Sequence, residues 1–100
     1  MKEMIKFSPE ITKIFFELTK EITTESPFSN KQKELILIGI FTSNQGFNGL
    51  KHHIKKAIEQ GASQEEVLYS ILLALPVVGI TVTNKAFKIA YSITKDFINE

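Results

Sequence analysis

The sequence predicts an all-α fold of five or more helices. Three features carry that expectation: apolar residues recur at helical spacing, Ser-x-x-Gln and Ser-x-x-Glu patterns mark helix starts, and no segment reads convincingly as a strand. The first helix spans about residues 9–22. Ser8 can cap it by accepting from a free backbone N–H, Pro9 suits the first helical position, and Ile11, Ile14, Phe15, Leu18 and Ile22 form one apolar stripe. After the turn ESPFSN, Ser29 with Gln32 fits a capping box that opens a second helix running to about Phe41. Leu35, Ile36, Leu37, Ile38, Ile40 and Phe41 point all round its axis. Such a helix has no face for solvent and belongs at the centre of the fold or of an oligomer. Its isoleucines would also suit a short strand; length and the capping box decide for helix.

A loop, SNQGFNG, leads into the third helix, about residues 50–60, which Gly61 stops by entering the left-handed conformation without a Cβ penalty. Ser63 and Glu66 form a second capping box and open the fourth helix. Pro76 bends or ends it, and Gly79 completes the break. The fifth helix covers about residues 81–97, with Val82, Ala86, Ile89, Ala90, Ile93 and Phe97 on its buried side.

Composition narrows the function classes. The 100 residues make one domain, 1–100, and 43% of them are hydrophobic, enough for a core. Net charge is +1, with 12 lysines and no arginine, which argues against a nucleic-acid binder and removes the best bidentate clamp for a carboxylate. With no cysteine, disulfides, thiolate catalysis and thiolate metal sites are excluded. The segment MKEMIKFSPE holds no apolar core of signal-peptide length. The longest apolar run, VLYSILLALPVVGITV at 67–82, is interrupted by Ser70, Pro76 and Gly79 and falls short of the roughly 20 residues a bilayer needs. A cytoplasmic location is expected, with no membrane or nucleic-acid partner and no cofactor.

Residues 44–57, NQGFNGLKHHIKKA, hold the most chemistry. Neighbouring side chains on a helix point about 100° apart, so His52 and His53 cannot share a face. Leu50, Ile54, Ala57 and Ile58 define the apolar stripe of the third helix and His53 lies on its edge. His52 lies opposite, with Lys55, Lys56 and Glu59, as a solvated residue. His53 is either a boundary histidine bonded to backbone or a functional one. Glu34 has a similar ambiguity. Among apolar neighbours it would lose hydration, which suits a proton donor or relay; in the first turns of its helix it would simply favour the dipole and pair with Lys31.

The segment from about 29 to 93 resembles the carboxymuconolactone decarboxylase family, which includes the alkylhydroperoxidase D-like proteins. Their shared pattern is K-x-x-E-L, then C-x-x-C-x-x-x-H, then A-x-x-x-G-A/V-T/S-x-E-E. It appears as KQKEL, GFNGLKHH and AIEQGASQEEV, with Asn84 and Ala86 echoing a final N-x-A. The resemblance implies a helical bundle that assembles as a homotrimer or homohexamer. It puts Glu34 on the family's relay glutamate and His53 on the motif histidine, while Gly46 and Gly49 stand where the redox branch carries its two cysteines.

In that branch the histidine and glutamate deprotonate a cysteine that attacks peroxide. Glycines cannot, so a thiol peroxidase is excluded. The decarboxylase branch also lacks the cysteines and takes small lactone carboxylates. Loss of CO₂ needs a cation for the carboxylate and a proton donor for the carbanion. His53 can be that donor with Glu34 orienting it, and Lys51 or Lys55 can anchor a substrate. Asn48 and Gly49 stand where that branch tends to carry acidic residues. No metal is expected, because Glu34 and His53 give two ligands where zinc wants three or four. Two readings follow: an acid–base enzyme acting on a small carboxylate or lactone, or a non-catalytic oligomer that binds or only scaffolds. Glu34 and His53 in contact beside an open cavity favour the first; a pair sealed by Phe41, Phe47 and Phe87 favours the second.

Overall fold

The computed structural model describes residues 1–98, in which seven helices follow one another: α1 (Lys2–Phe7), α2 (Pro9–Glu25), α3 (Asn30–Ser43), α4 (Phe47–Glu59), α5 (Gln64–Leu72), α6 (Leu75–Val78) and α7 (Ile80–Ile98). No strand occurs among the described residues, and the all-α expectation holds. The caps read from sequence are formed. Ser8 Oγ accepts from Ile11 N–H at 3.2 Å, and Pro9 opens α2. Ser29 and Gln32 bond reciprocally at 3.1 and 2.9 Å, as do Ser63 and Glu66 at 3.0 and 2.9 Å.

Three boundaries differ from the sequence expectation. α1 is additional, and its N-cap has no side-chain bond; packing on α2 supports it instead. α4 starts at Phe47 rather than near Leu50, because the Gly46 carbonyl accepts from Leu50 N–H at 2.8 Å and closes a first turn through Gly49. The break around Pro76 is itself helical: α6 places the proline at its start, where a missing N–H costs nothing, and Gly79 at φ 85° ends it.

The core lies where α3, α4, α5 and α7 meet. Ile38, Leu50, Ile54, Val67 and Ile71 are fully buried there, and the small side chains of Ala57, Ala86 and Ala90 let the helices approach closely. Thr42, Thr83 and Thr94 are buried too; each hydroxyl donates to the carbonyl one turn back, at 2.7 to 2.8 Å, so no polar atom there is orphaned. Phe97, expected on the buried side of the last helix, is exposed.

The second helix of the bundle, α2, packs closely on α1 and only weakly on the rest. Its stripe of Ile11, Ile14, Phe15, Leu18 and Ile22 is 46–63% exposed, whereas Thr12 is buried. The helix therefore turns the edge of Thr12, Thr19 and Thr23 toward its own chain and its apolar stripe outward, except at Ile22, which borders a cavity. α3 repeats the theme: Ile38 is buried, but Ile36 and Ile40 face out beside Leu73 and Val77 in an apolar groove of about 370 Å³. A periodicity that implies burial is satisfied only in part by one chain.

Glu66 links two helix starts. Its carboxylate accepts from the Ser63 backbone N–H, and Lys31 Nζ lies 3.0 Å away; the backbone bond chiefly, then the lysine, hold its carboxyl below the usual value of 4.5. A depressed folded-state pKa stabilises above the unfolded value and is lost as pH falls through the folded one. Urea midpoints measured across that range should therefore fall more on acidification below about pH 4.5 in the wild type than in Glu66→Gln.

Candidate functional site

The site is built where α3 and α4 pack side by side. The capping box at Ser29 fixes the start of α3 and sets Glu34 in its second turn, toward α4. α4 brings His53 to the same place from the edge of the buried Leu50, Ile54 and Ala57 stripe. His53 Nδ1 lies 2.5 Å from Glu34 Oε2, and the side chains are only 18% and 13% exposed. Lys31, the partner that a merely structural Glu34 would have taken, pairs with Glu66 instead.

The chemistry of this contact is directional. A carboxylate can only accept, so the shared hydrogen belongs to Nδ1 and the neutral ring keeps Nε2 as its basic nitrogen. No bond from a described residue engages Nε2, and no buried polar side-chain atom among the described residues lacks a partner, so Nε2 reaches open space. A charge-assisted bond this short also fixes the ring's rotation. The arrangement can store a proton on the imidazole and deliver it from one nitrogen.

Open space is present. A cavity of about 530 Å³ is bounded by the pair, by Thr19, Ile22 and Thr23 of α2, and by Phe28 and Leu37. Lys33 and Lys56 also line it. Lys33 Nζ donates to the Thr23 carbonyl at 2.7 Å and to Asn30 Oδ1 at 3.4 Å, tying α3 to the end of α2. Lys56 is exposed and forms no ion pair among the described residues. The site is thus an oily concavity with a proton carrier on its floor and two cations on its walls.

Gln60 and Lys56, seven and three positions after His53, border the cavity with it; Lys56 is exposed, as expected of a residue grouped with His52, and its place on the cavity rim is an addition to that reading. Asn48 and Lys51 are exposed and do not line the cavity; Lys55 borders a separate small cavity with Ile58, Glu59 and Phe97. Gly46 caps α4 and Gly49 lies in its first turn. The Phe41 ring stacks on the His53 imidazole, with centroids 5.1 Å apart and planes 18° from parallel. Phe47 and Phe87 pack on the core and leave the pair open on the α2 side. His52 meets His53 edge to face at 5.1 Å but turns outward. No three of His, Asp or Glu converge among the described residues, and no helix there is long and apolar enough to cross a membrane.

The cavity walls from α2, with Lys33 and Lys56, are the parts that sequence reasoning missed. The i, i+3, i+7 spacing of His53, Lys56 and Gln60 was the available signal. Compared with known proteins, residues 9–92 match the model described as Carboxymuconolactone decarboxylase family. Neither curated proteins nor solved structures give a match.

Proposed function

The chain belongs to the carboxymuconolactone decarboxylase family, and from that premise we propose that it carries out acid–base chemistry, decarboxylation or a related proton transfer, on a small carboxylate or lactone. The observation that carries this reading is the 2.5 Å contact between Glu34 and His53 at the floor of an open cavity. In such a reaction the C–CO₂ bond breaks and its electron pair delocalises toward the lactone carbonyl. Nε2, protonated from solvent before the step, donates that proton to the substrate carbon and leaves the ring neutral, to be protonated again from solvent. Glu34 holds Nδ1–H throughout and balances the charge of the ring while it is protonated. Lys56, on the wall and without an ion pair among the described residues, is the cation best placed to receive a substrate carboxylate, with Lys33 second because it already serves the Thr23 carbonyl.

The test is a panel of small lactone carboxylates assayed for CO₂ release and, by calorimetry, for binding. Turnover supports the enzyme. Saturable binding without turnover supports the alternative, a non-catalytic oligomer that retains the cavity. A thiol peroxidase is outside both, for want of a cysteine.

The assembly proposed is a homotrimer or homohexamer, in which the outward stripe of α2 is covered by the α3–α6 groove or the α2 of a second copy. Two apolar surfaces left open on one chain, together with the family, support this. Ile14→Asp with Leu18→Asp should convert the assembly to monomer in sedimentation velocity, while Lys13→Asp, on the same helix, should not.

A further inference from the structure

We propose that Phe41 is a positioning residue for His53, and that Gly46 and Gly49 exist to seat its ring. This rests on the acid–base reading of the site and adds to it a device within α3 and α4.

The two glycines are not required by the backbone. Gly46 has φ −82°, and neither it nor Gly49 is among the residues with positive φ, so any L residue could adopt their conformations. Inside a helix, as at Gly49, glycine is disfavoured relative to alanine. What the glycines provide is space. A Cβ on Gly49 would lie 2.3 Å from Phe41 Cε1, 2.7 Å from Cδ1 and 2.8 Å from Cζ; one on Gly46 would lie 2.8 Å from Cδ1 and 2.9 Å from Asn44 Oδ1. Non-bonded carbons do not approach that closely, so the ring in this position and a side chain at Gly49 exclude each other. The loop is also tied to the same residue, since Gly46 N–H donates to the Phe41 carbonyl at 3.0 Å.

The ring seated there lies nearly parallel to the imidazole of His53. One constraint, the bond to Glu34, fixes which nitrogen carries hydrogen. The other, the stacked face of Phe41, fixes the plane of the imidazole. Together they leave Nε2 as the ring nitrogen not engaged by Glu34, on a ring that lines the cavity. A phenyl ring thus occupies the room that side chains at positions 46 and 49 would take, and serves the histidine by geometry.

The experiment compares Gly49→Ala, Phe41→Leu, Phe41→Tyr and the double variant Phe41→Ala with Gly49→Ala in the assembled protein. Far-UV circular dichroism monitors folding. The principal readout is the His53 side chain in long-range ¹H–¹⁵N spectra, which report the tautomer, and the slowly exchanging Nδ1–H resonance. His52 is the internal control. Gly49→Ala and Phe41→Leu should each lose the Nδ1–H resonance and mix the tautomers, Phe41→Tyr should restore the wild-type signals, and in the Phe41→Ala background Gly49→Ala should add nothing. Where Gly49→Ala fails to fold, recovery of folding by Phe41→Ala supports the same exclusion. Turnover, where present, should fall about a hundredfold in Phe41→Leu, the scale of a misplaced catalytic group. An unchanged His53 spectrum in Gly49→Ala, or additive effects of the two changes, would overturn the proposal. Because the spectra need no substrate, an inactive wild type with the expected spectra defeats the enzyme reading and leaves this one standing.

Discussion

His53→Ala should abolish measurable turnover while the assembly persists in sedimentation. The substitution removes Nε2, the nitrogen that reaches open space, and general acid–base groups contribute about 10²- to 10⁴-fold. The residue is at the edge of the core rather than inside it, so the fold should survive. Glu34→Gln is the informative companion. The amide keeps an oxygen that can accept from Nδ1 but loses the charge that balances an imidazolium, so its rate should fall between the wild type and His53→Ala. Full turnover in His53→Ala, measured with any substrate the wild type consumes, would remove the histidine from the mechanism.

Ile54→Ala tests the support beneath the site. Ile54 is fully buried and belongs to the core beside Leu50 and Val67, one position after His53 on α4. Truncating a buried isoleucine costs about 2–5 kcal/mol in lost transfer energy and residual cavity. Against the roughly 5–15 kcal/mol of a typical domain, that is a large share. Lys51→Ala, on the exposed side of the same helix, should change stability by no more than about 0.5 kcal/mol. Urea denaturation of both variants at one protein concentration checks the contrast. Equal midpoints would mean that α4 is not anchored through this stripe.

The helix starts were legible because their physics is local. Ser8, Ser29 and Ser63 satisfy backbone donors within one turn, and the spacing is written in the chain. α1 was not legible, since Met1 offers no cap and the helix depends on its contact with α2. Periodicity announced the stripe of α2 but could not say which body covers it; the structure turns that stripe away from its own core. Glu34 and His53 were found through the motif pattern, and their contact needs two helices to be packed before it exists. Phe41 was harder still. Its role depends on the volume absent at Gly46 and Gly49, and a missing side chain carries no hydropathy signal. Lys56 is on the solvated side of α4, as its spacing implies, and only the packing of α2 and α3 around it makes that position a cavity rim.

The inward threonine edge of α2 has a consequence for regulation. That edge forms one side of the chamber above His53, yet the helix is held to its own chain chiefly by α1. Where a neighbouring copy clamps the outer stripe, the stiffness of the chamber becomes a property of the population rather than of the individual molecule. In the proposed assembly, mass action should then reach the cavity: crowding the chains together should firm its wall and dispersing them should slacken it, with the acid and the imidazole untouched in either case.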